Sequence, residues 1–450
     1  MGLGTFFGRL FSLAFFTYAA LYFWLRAGDT IHFLRYPEFT QLIMVIVVAN
    51  YVLPRFIGIP VPDLKLQLLI GMLTSYYYLD VHTAARSFPP IDLSGKVAVV
   101  TGGNSGIGRA TAVALAERNA TVVIACRNDR LCQVAAEEME REVADSVGGT
   151  GKVVPMRLDL ADLAIVDYFS LMLARQYPRV DILVNNAGYH LGGLKQEPAS
   201  RQGLERSFAT MHVGHFALTE WLIRRNEGGA EGVVVMNVAS GMHHMCQWIT
   251  AVQGVTGGGW DDACMPARFF KSKFKDVGPK GYAGFKHLPM FVRKLSDLRY
   301  MRAKLANVLH TIELPKRHKG LHVTAADLGF VSSNITAGHK LLQAELVEGM
   351  PTLDQFFMRQ TAPHGIRPVL LGALLPLVKP WAKSVGIKSK NGALIDPIGN
   401  AVYPFSLEKA TGLKDVGGQK KLAKKLYDVS AAILADFEAS RGGSLDERMD

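Results

Sequence analysis

The segment from Lys96 to Arg109, KVAVVTGGNSGIGR, constrains the fold more than any other stretch of the chain. Its valines predict a buried strand, which leads through a glycine-rich turn into an alanine-rich stretch of good helix formers. This order is typical of the phosphate-binding corner of a dinucleotide fold, where glycines let the backbone approach a pyrophosphate and the helix N-terminus attracts anions. The glycines are spaced G-x-x-x-G-x-G, and an ordinary tight turn would explain them equally well. The rest of the chain therefore decides between these two interpretations.

Strands and helices are predicted to alternate beyond this segment. Apolar runs of strand length recur at 121–126, 153–160, 180–184, 232–238 and 321–326. Helical patterns lie between them at 129–147, 163–176 and 201–225, and again at 305–312. Such repetition predicts an α/β fold, a Rossmann-type doubly wound parallel sheet that binds ligands at the carboxyl ends of its strands.

Composition narrows the class of partner. The chain has 450 residues and a formal net charge of +11. No basic run is interleaved with aromatic residues, so a membrane surface or an anionic cofactor fits the positive charge better than nucleic acid does. The four cysteines show no metal or disulfide spacing. Cys126 falls in a predicted strand and Cys132 in a predicted helix, as buried thiols of a reducing compartment often do.

Residues 1–88 are predicted to form a hydrophobic helical membrane anchor. Uncharged stretches occupy 10–25, 39–54 and 66–79. Each is shorter than the roughly 20 apolar residues that span a bilayer, although residues 2–8 extend the first to a credible span. A signal peptide is the alternative, but no small-residue cleavage site follows cleanly. We expect one to three embedded helices, and basic residues on both flanks leave their orientation open.

Six motifs follow one another in the order and at the structural positions of a known family. They are TGGNSGIG at 101–108, LDLADL at 158–163, NNAG at 185–188, NVAS at 237–240, YMRAKLANVL at 300–309 and VTAADLGFVSS at 323–333. With these motifs the chain resembles the short-chain dehydrogenase/reductases, especially the retinol-dehydrogenase-like, NADPH-using branch that includes membrane-anchored enzymes. The resemblance covers residues 93–333 well and the tail to about 432 more loosely. It implies a cofactor-binding domain over 89–342, with an insertion at about 245–290, and a lid with a closing strand and helix over 343–450.

The resemblance also implies a set of cofactor-binding residues. The glycines would shape the pyrophosphate turn, Asp159 would bind the adenine amine, and the segment after Asn185 would lie along the adenine ribose. Asn186 is alternatively a stabiliser of the strand end. The usual Pro-Gly before Ser333 is Leu328-Gly329 here. The full set is Gly102, Asn104, Ser105, Gly106, Ile107, Gly108, Arg127, Asp159, Leu160, Asn186, Ala187, Gly188, Tyr300, Lys304 and Ser333.

Arg127 indicates which nicotinamide cofactor is preferred. A site for NAD places a carboxylate about 20 residues after the glycines, where it binds the ribose 2′-hydroxyl. Arg127 stands 19 residues after Gly108, and a guanidinium there suits a 2′-phosphate. Asp129 is the nearby carboxylate, but we expect it to be the N-cap of the next helix. The cofactor is therefore predicted to be NADP(H), with a solvated surface charge as the alternative role of Arg127.

Tyr300, Lys304 and Ser240 are the predicted catalytic residues. A tyrosine has a pKa of about 10 in water, so a lysine one helical turn away makes it a better proton donor or acceptor. Ser240, after the fifth strand, would hold the substrate oxygen. Tyr282 and Lys286 have the same Y-x-x-x-K spacing, but only Tyr300 starts a helix that leads directly to the next strand.

Met211 departs from the family pattern. The family usually has an asparagine there, and that asparagine helps to hold a water that leads protons to the lysine. Its loss would slow turnover or pass the role to His212 or another group. We prefer to interpret His212 and His215 as ordinary helix packing.

The insertion and the tail are predicted to serve the substrate. The insertion would form a flap or a basic patch that touches lipid headgroups. His243, His244 and Cys246 have no second ligand pair, so no metal is expected. In the tail, residues 335–378, which end in the apolar run at 369–378, fit a lid or membrane-dipping segment or, alternatively, a core helix pair. Residues 391–403 would supply a last strand and residues 420–437 a closing amphipathic helix.

These features together predict an NADP(H)-dependent oxidoreductase that interconverts a lipophilic carbonyl and alcohol, such as a retinoid, sterol, prenoid or lipid aldehyde. A catalytically weak NADPH-binding scaffold or redox sensor is the alternative hypothesis. A reductase of carbon–carbon double bonds is the third. Membrane lipid is the expected partner, nucleic acid is not, and a homodimer stays open. The expected location is an intracellular membrane such as the endoplasmic reticulum, with the catalytic domain facing the cytosol.

Overall fold

A computed structural model describes residues 91–146, 150–189, 197–240, 243, 265, 267–275, 298–328, 366–378, 391–395, 401–402 and 418–442. All of them belong to one compact unit, residues 88–404 with 417–450. The predicted anchor, the Tyr282–Lys286 pair, Ser333 and most of the insertion lie outside the described residues. Within the described residues, no helix has the length and apolar character needed to cross a membrane.

The described strands form one sheet in the order β3-β2-β1-β4-β5-β6-β7-β8. Strands β1 to β7 are parallel, and β8 is antiparallel to β7. The chain therefore winds outward in both directions from β1, which confirms the Rossmann-type doubly wound sheet and places the switch point between β1 and β4. The bounds are β1 Val97–Thr101, β2 Thr121–Cys126, β3 Lys152–Arg157, β4 Ile182–Asn185, β5 Val234–Val238, β6 His322–Ala326, β7 Ala393–Ile395 and β8 Ala401–Val402.

Helices cover both faces of this sheet. They are α1 Gly106–Ala116, α2 Asp129–Asp145, α3 Leu163–Gln176, α4 Arg206–Phe208, α5 Gly214–Arg225, α6 Ala267–Lys271, α7 Leu298–Arg317, α8 Arg367–Leu374 and α9 Gly418–Ser440. A short π-helical segment, Ala209–Val213, joins α4 to α5 and is called the π-turn below. The ends predicted for most strands and helices agree with these bounds to within three residues, but the expected last strand at 391–403 is two short strands.

The predicted helix at 201–225 was wrong at its start and in its regularity. It begins only at Arg206, because the Glu205 carboxylate caps it by accepting hydrogen bonds from the backbone N–H groups of Ser207 and Phe208, both at 2.9 Å. A capping side chain satisfies donors that have no partner in the first helical turn. The π-turn that follows inserts an extra residue, and such bulges are frequent at functional sites.

The core lies on both sides of the sheet, as alternation along β1 requires. Ala98 and Val100 face α1, α2 and α8. Val99 faces the other cluster, which α3, α5, α7 and α9 complete. The apolar run at 369–378 supplies buried side chains of α8, so in this stretch the core helix is observed instead of the expected lid or membrane-dipping segment.

The described part of the insertion also packs into the core. Phe269 and Phe274 are fully buried, and their ring centroids lie 5.0 Å and 4.7 Å from that of Phe208. The aromatic side chains of residues 267–275 thus anchor this segment in the core, while Lys271, Lys273 and Lys275 are exposed, so the basic patch stays a prediction. The rest of the insertion lies outside the described residues.

Helix α9 closes the molecule as predicted. Tyr427 donates a hydrogen bond to Glu220 at 2.9 Å, and the Trp221 indole N–H donates to Glu438 at 2.7 Å. These contacts fasten α9 to α5, and Arg317 on α7 pairs with Asp428.

The prediction of free thiols at Cys126 and Cys132 was wrong, because the two sulfurs are joined in a disulfide. The turn after β2 reverses the chain into α2 and brings their Cα atoms to 5.8 Å, within the range that a disulfide spans. Spacing along the sequence did not reveal this, since the reversal is a tertiary feature.

Candidate functional site

The glycine turn lies at the carboxyl end of β1. Gly102 and Gly106 have positive φ angles of 64° and 55°, which side chains with a Cβ rarely adopt. A Cβ on Gly108 would lie 2.3 Å from the Gly102 carbonyl oxygen, so glycine is required there as well. The side chain of the N-cap residue, Ser105, makes no capping hydrogen bond. The N–H groups of the first turn of α1 therefore remain for an anion.

Thr101 clamps the neighbouring strand end to this turn. Its hydroxyl accepts hydrogen bonds from the backbone N–H groups of Asn186 and Ala187, both at 2.9 Å. The Asn186 side chain in turn donates to the Thr101 carbonyl at 2.8 Å. The role of Asn186 as a strand-end stabiliser is thus observed, and it places Gly188 at the same edge of the sheet as the glycine turn.

His215 extends the clamp to the π-turn. One ring nitrogen, Nδ1, lies 3.0 Å from the Met211 carbonyl, and Nε2 lies 2.8 Å from the Thr101 hydroxyl. A carbonyl only accepts, which assigns the ring proton to Nδ1 and leaves Nε2 to accept from Thr101. Burial lowers the pKa of His215 to about 3, so the ring is neutral near pH 7. These hydrogen bonds agree with our interpretation of His215 as a residue of helix packing.

The turn after β2 carries Arg127 on the surface. Asn128, and not Asp129 as predicted, is the N-cap of α2, because its backbone is extended and its side chain accepts from Leu131 N–H at 3.1 Å. Asp129 is the first helical residue, where a carboxylate favours the positive end of the helix dipole. Arg127 is thus the residue that the turn leaves exposed immediately beyond the sheet edge.

Asp159 and Leu160 follow β3 at the same edge. The Asp159 carboxylate accepts a hydrogen bond from Ala161 N–H at 3.0 Å, which holds the loop turned at this point. A Cβ on Gly214 would lie 2.3 Å from the Leu160 carbonyl oxygen, so the loop packs directly on the start of α5. Apart from Tyr300 and Lys304, the structure therefore gathers the described residues of the predicted cofactor set at the carboxyl ends of β1 to β4.

Tyr300 and Lys304 lie one turn apart on α7, both buried. The Lys304 ammonium stands 5.6 Å from the centre of the Tyr300 ring and donates a hydrogen bond to the Val238 carbonyl at 2.9 Å. Ser240 follows two residues after Val238, beyond the end of β5. Burial lowers the pKa of Lys304 to about 8. Tyr300 and Lys304 thus lie where α7 crosses the end of β5, the strand that Ser240 follows.

Met211 occupies the π-turn beside this lysine. A Cβ added to Gly188 would lie 3.3 Å from the Met211 sulfur and 3.4 Å from the Lys304 ammonium nitrogen, so both side chains reach the same point. A thioether is a weak acceptor and donates nothing, unlike an amide.

Sequence reasoning missed a buried polar network beneath the site. Asn185 donates to Asn237 at 2.9 Å, and Asn237 donates to Thr311 at 2.9 Å. Asn307 donates to the Val238 carbonyl at 3.1 Å, the acceptor that Lys304 also uses. The sequence signal that could have revealed this network lies in the NNAG and NVAS motifs. They stand at the ends of the paired strands β4 and β5, and this pairing places Asn185 opposite Asn237. The network fixes α7 to β4 and β5 and so sets the position of the lysine.

A second buried group includes His212 of the π-turn. His212 lies 3.0 Å from the Ser430 hydroxyl of α9, and its ring centroid is 5.8 Å from that of His310. Burial lowers the pKa of both rings, that of His310 to about 4. Neither ring carries a charge near pH 7, so the group links the π-turn, α7 and α9 as neutral packing.

Within the described residues, no group of three or more His, Cys, Asp or Glu side chains is arranged to hold a metal ion. His244 and Cys246 lie outside that part of the chain.

The chain is similar in sequence to known proteins of one family. Residues 96–251 match the family model described as short chain dehydrogenase. The chain is 32% identical to Retinol dehydrogenase 12 of Bos taurus over 287 residues, which cover 61% of this chain and 76% of the bovine protein. It is 30% identical to Retinol dehydrogenase 14 of Homo sapiens over 266 residues, covering 57% and 67%. For Retinol dehydrogenase 14 of Mus musculus the match is 31% over 251 residues, and it spans 54% of this chain but only 63% of that protein. The chain belongs to the short-chain dehydrogenase/reductase family of oxidoreductases, in its retinol-dehydrogenase-like branch.

Proposed function

We propose that this protein is an NADP(H)-dependent oxidoreductase that interconverts a lipophilic carbonyl compound and its alcohol. The observation that carries the proposal is the buried Lys304 beside Tyr300, at the edge of the sheet that also holds the glycine turn. A cation within reach of a phenol stabilises the phenolate and makes the phenol a better acid at neutral pH.

The glycine turn supports the cofactor assignment. The space beside Gly102 and Gly108, which a Cβ would fill, and the first-turn N–H groups of α1 fit a pyrophosphate. Exposed Arg127 suits a 2′-phosphate, which only NADP(H) carries. The bound nicotinamide supplies or takes up the hydride.

The side chains supply the proton and orient the substrate. Ser240 would hold the substrate oxygen by a hydrogen bond. In the reducing direction Tyr300 would give its hydroxyl proton to that oxygen, and in the oxidising direction it would remove it. Lys304, fixed by the Val238 carbonyl, would stabilise the phenolate that forms.

The substrate class rests on the relatives and on the composition of the chain. The relatives are named retinol dehydrogenases. Uncharged stretches in residues 1–88 suit contact with a membrane. We therefore favour an oily alcohol or aldehyde as the substrate, such as a retinoid, sterol, prenoid or lipid aldehyde. The substrate would come from an intracellular membrane, and the domain over 89–342 would lie on the cytosolic side of that membrane. Membrane anchoring, the lid within 343–450 and a homodimer stay predictions.

A catalytically weak NADPH-binding scaffold is the second candidate, and Met211 favours it. The thioether reaches the space beside Lys304 where the family places a polar amide. Without that amide, protons would reach the lysine more slowly.

One experiment separates the two candidates. The full-length protein is incubated with NADPH and a panel of lipid aldehydes that includes retinal, and NADPH oxidation and alcohol products are measured. Tyr300→Phe should lower turnover by about 100-fold or more, the usual contribution of general acid catalysis, and leave NADPH affinity nearly unchanged. Tyr282→Phe is the matched control and should keep wild-type turnover. Binding of NADPH without product formation from any aldehyde would favour the scaffold.

A further inference from the structure

The disulfide between Cys126 and Cys132 closes a small loop at the edge of the glycine-turn site. Cys126 is the last residue of β2, and Cys132 lies in the first turn of α2. Both cysteines are buried, whereas the five residues between them, from Arg127 to Leu131, are exposed. The disulfide therefore joins the two buried ends of an exposed surface loop.

This loop borders two parts of the proposed cofactor site. Arg127, the residue proposed for the 2′-phosphate, follows Cys126 directly. The Cys126 carbonyl accepts a hydrogen bond from Leu158 N–H at 2.8 Å, one residue before Asp159. This bond keeps Cys126 beside the adenine side of the site, so opening of the loop would act on the phosphate side, through Arg127.

The surrounding structure suits the reduced form as well. The Cys132 sulfur lies 3.4 Å from the Ile124 carbonyl oxygen, which would accept the proton of a thiol. The helix cap does not depend on the disulfide, because Asn128 provides it through its own side chain. Reduction would thus free the loop and leave strand β2 and helix α2 in place.

We propose that Cys126 and Cys132 are a redox modification site that controls the affinity of the protein for NADP(H). In the disulfide form the closed loop holds Arg127 ready for the phosphate, and in the dithiol form the loop samples more conformations and binds the phosphate less tightly. A preorganised loop loses less conformational freedom on binding than a free one. The inference rests on the proposed NADP(H) function and concerns the regulation of that same site.

The chemistry is thiol–disulfide exchange with an external dithiol. A thiolate of the reductant attacks one cysteine sulfur and breaks the S–S bond, and the other cysteine leaves as a thiolate. The second thiol of the reductant then resolves the mixed disulfide. Two electrons and two protons pass to the protein, and the reductant becomes a disulfide. Because both sulfurs are buried, exchange requires the exposed turn from Arg127 to Leu131 to open.

The test compares NADPH affinity in the two redox states of the full-length protein. Dissociation constants for NADPH and NADH are measured before and after treatment with dithiothreitol, and mass spectrometry after alkylation counts the free thiols. A Cys246→Ala/Cys264→Ala variant keeps only the proposed pair. Cys132→Ala and Cys126→Ala each remove it, and both replace a small buried side chain by a smaller one.

Reduction should weaken NADPH binding by about three- to tenfold in the wild type and in the Cys246→Ala/Cys264→Ala variant, because it loosens one charged contact. NADH binding should change by less than about twofold, since NADH lacks the 2′-phosphate. The two single variants should bind NADPH as the reduced protein does, with or without dithiothreitol.

Three results would overturn the inference alone. They are equal NADPH affinity in both states although the bond has opened, a pair that stays free even after oxidation with glutathione disulfide, and a dithiothreitol effect that persists in Cys132→Ala. A protein that binds NADPH in neither state would overturn the proposed function together with this inference.

Discussion

The Lys304 ammonium donates a hydrogen bond to the Val238 carbonyl at 2.9 Å, which ties the middle of α7 to the end of β5. Burial lowers the pKa of this lysine from the ordinary 10.5 to about 8. The folded state therefore holds a charge that is costly to bury, and the cost is fully present at any pH below about 8.

This lysine predicts a rise in stability at alkaline pH. Between pH 8 and 10.5 the unfolded chain binds more protons than the folded one, so the free energy of unfolding increases with pH. The contribution is up to about 1.4 kcal/mol per pH unit. The free energy of unfolding of the wild type and of Lys304→Met is measured by denaturant at pH 7, 8, 9 and 10. The difference between the two plots of this free energy against pH gives the contribution of the lysine. Parallel curves would show that the lysine titrates normally.

Met211→Asn is expected to raise turnover several-fold if proton supply to Lys304 limits the rate. An amide there can hold a water, as a thioether cannot. The cost is burial of a polar group, about 1–3 kcal/mol of stability if no partner forms. Steady-state kinetics and a thermal melt on each variant separate the two effects. Met211→Leu, the apolar control, should keep wild-type turnover, and equal rates in all three proteins would remove the role assigned to position 211.

Gly108→Ala should abolish most NADPH binding. The added Cβ would lie 2.3 Å from the Gly102 carbonyl oxygen, and backbone cannot yield as a flexible side chain does. We expect affinity to fall by about 30-fold or more, equivalent to roughly 2 kcal/mol, in a fluorescence titration.

Gly95→Ala is the matched control for this substitution. Gly95 has a positive φ of 75° but nothing lies within 4 Å of its Cβ position, and it precedes β1 at the opposite end of the strand. It should lose about 1 kcal/mol of stability and keep its NADPH affinity. Equal loss of binding in both variants would point to general destabilisation.

Arg127→Ala is expected to weaken NADPH binding by about tenfold, because a charge-assisted bond to phosphate is lost at an exposed position. NADH affinity should hardly change, so the preference between the two cofactors should shrink by the same factor. Arg130→Ala, in the same exposed turn, is the control and should retain the preference. A proportional loss for both cofactors would contradict the 2′-phosphate role.

Local patterns in the sequence were sufficient to predict the order of strands and helices and the catalytic pair. The period-two valines of β1 and the i, i+4 pair Tyr300 and Lys304 can be read within a few residues of chain. Asn237 and Asn307 stood inside the recognised motifs, yet their bond partners lie on other elements. The network they form was therefore missed, as was the packing of Phe269 and Phe274 against Phe208.

The sequence by itself determined the order of strands and helices, the glycine turn and the spacing of the catalytic pair, because these depend on backbone conformation and side-chain periodicity over short distances. Only the tertiary structure decided that Cys126 bonds to Cys132, that His215 clamps the π-turn to Thr101 and that Met211 and Lys304 approach the same glycine. Those contacts depend on how chain reversals and packed helices bring distant residues together. No pattern within a single element carries that information.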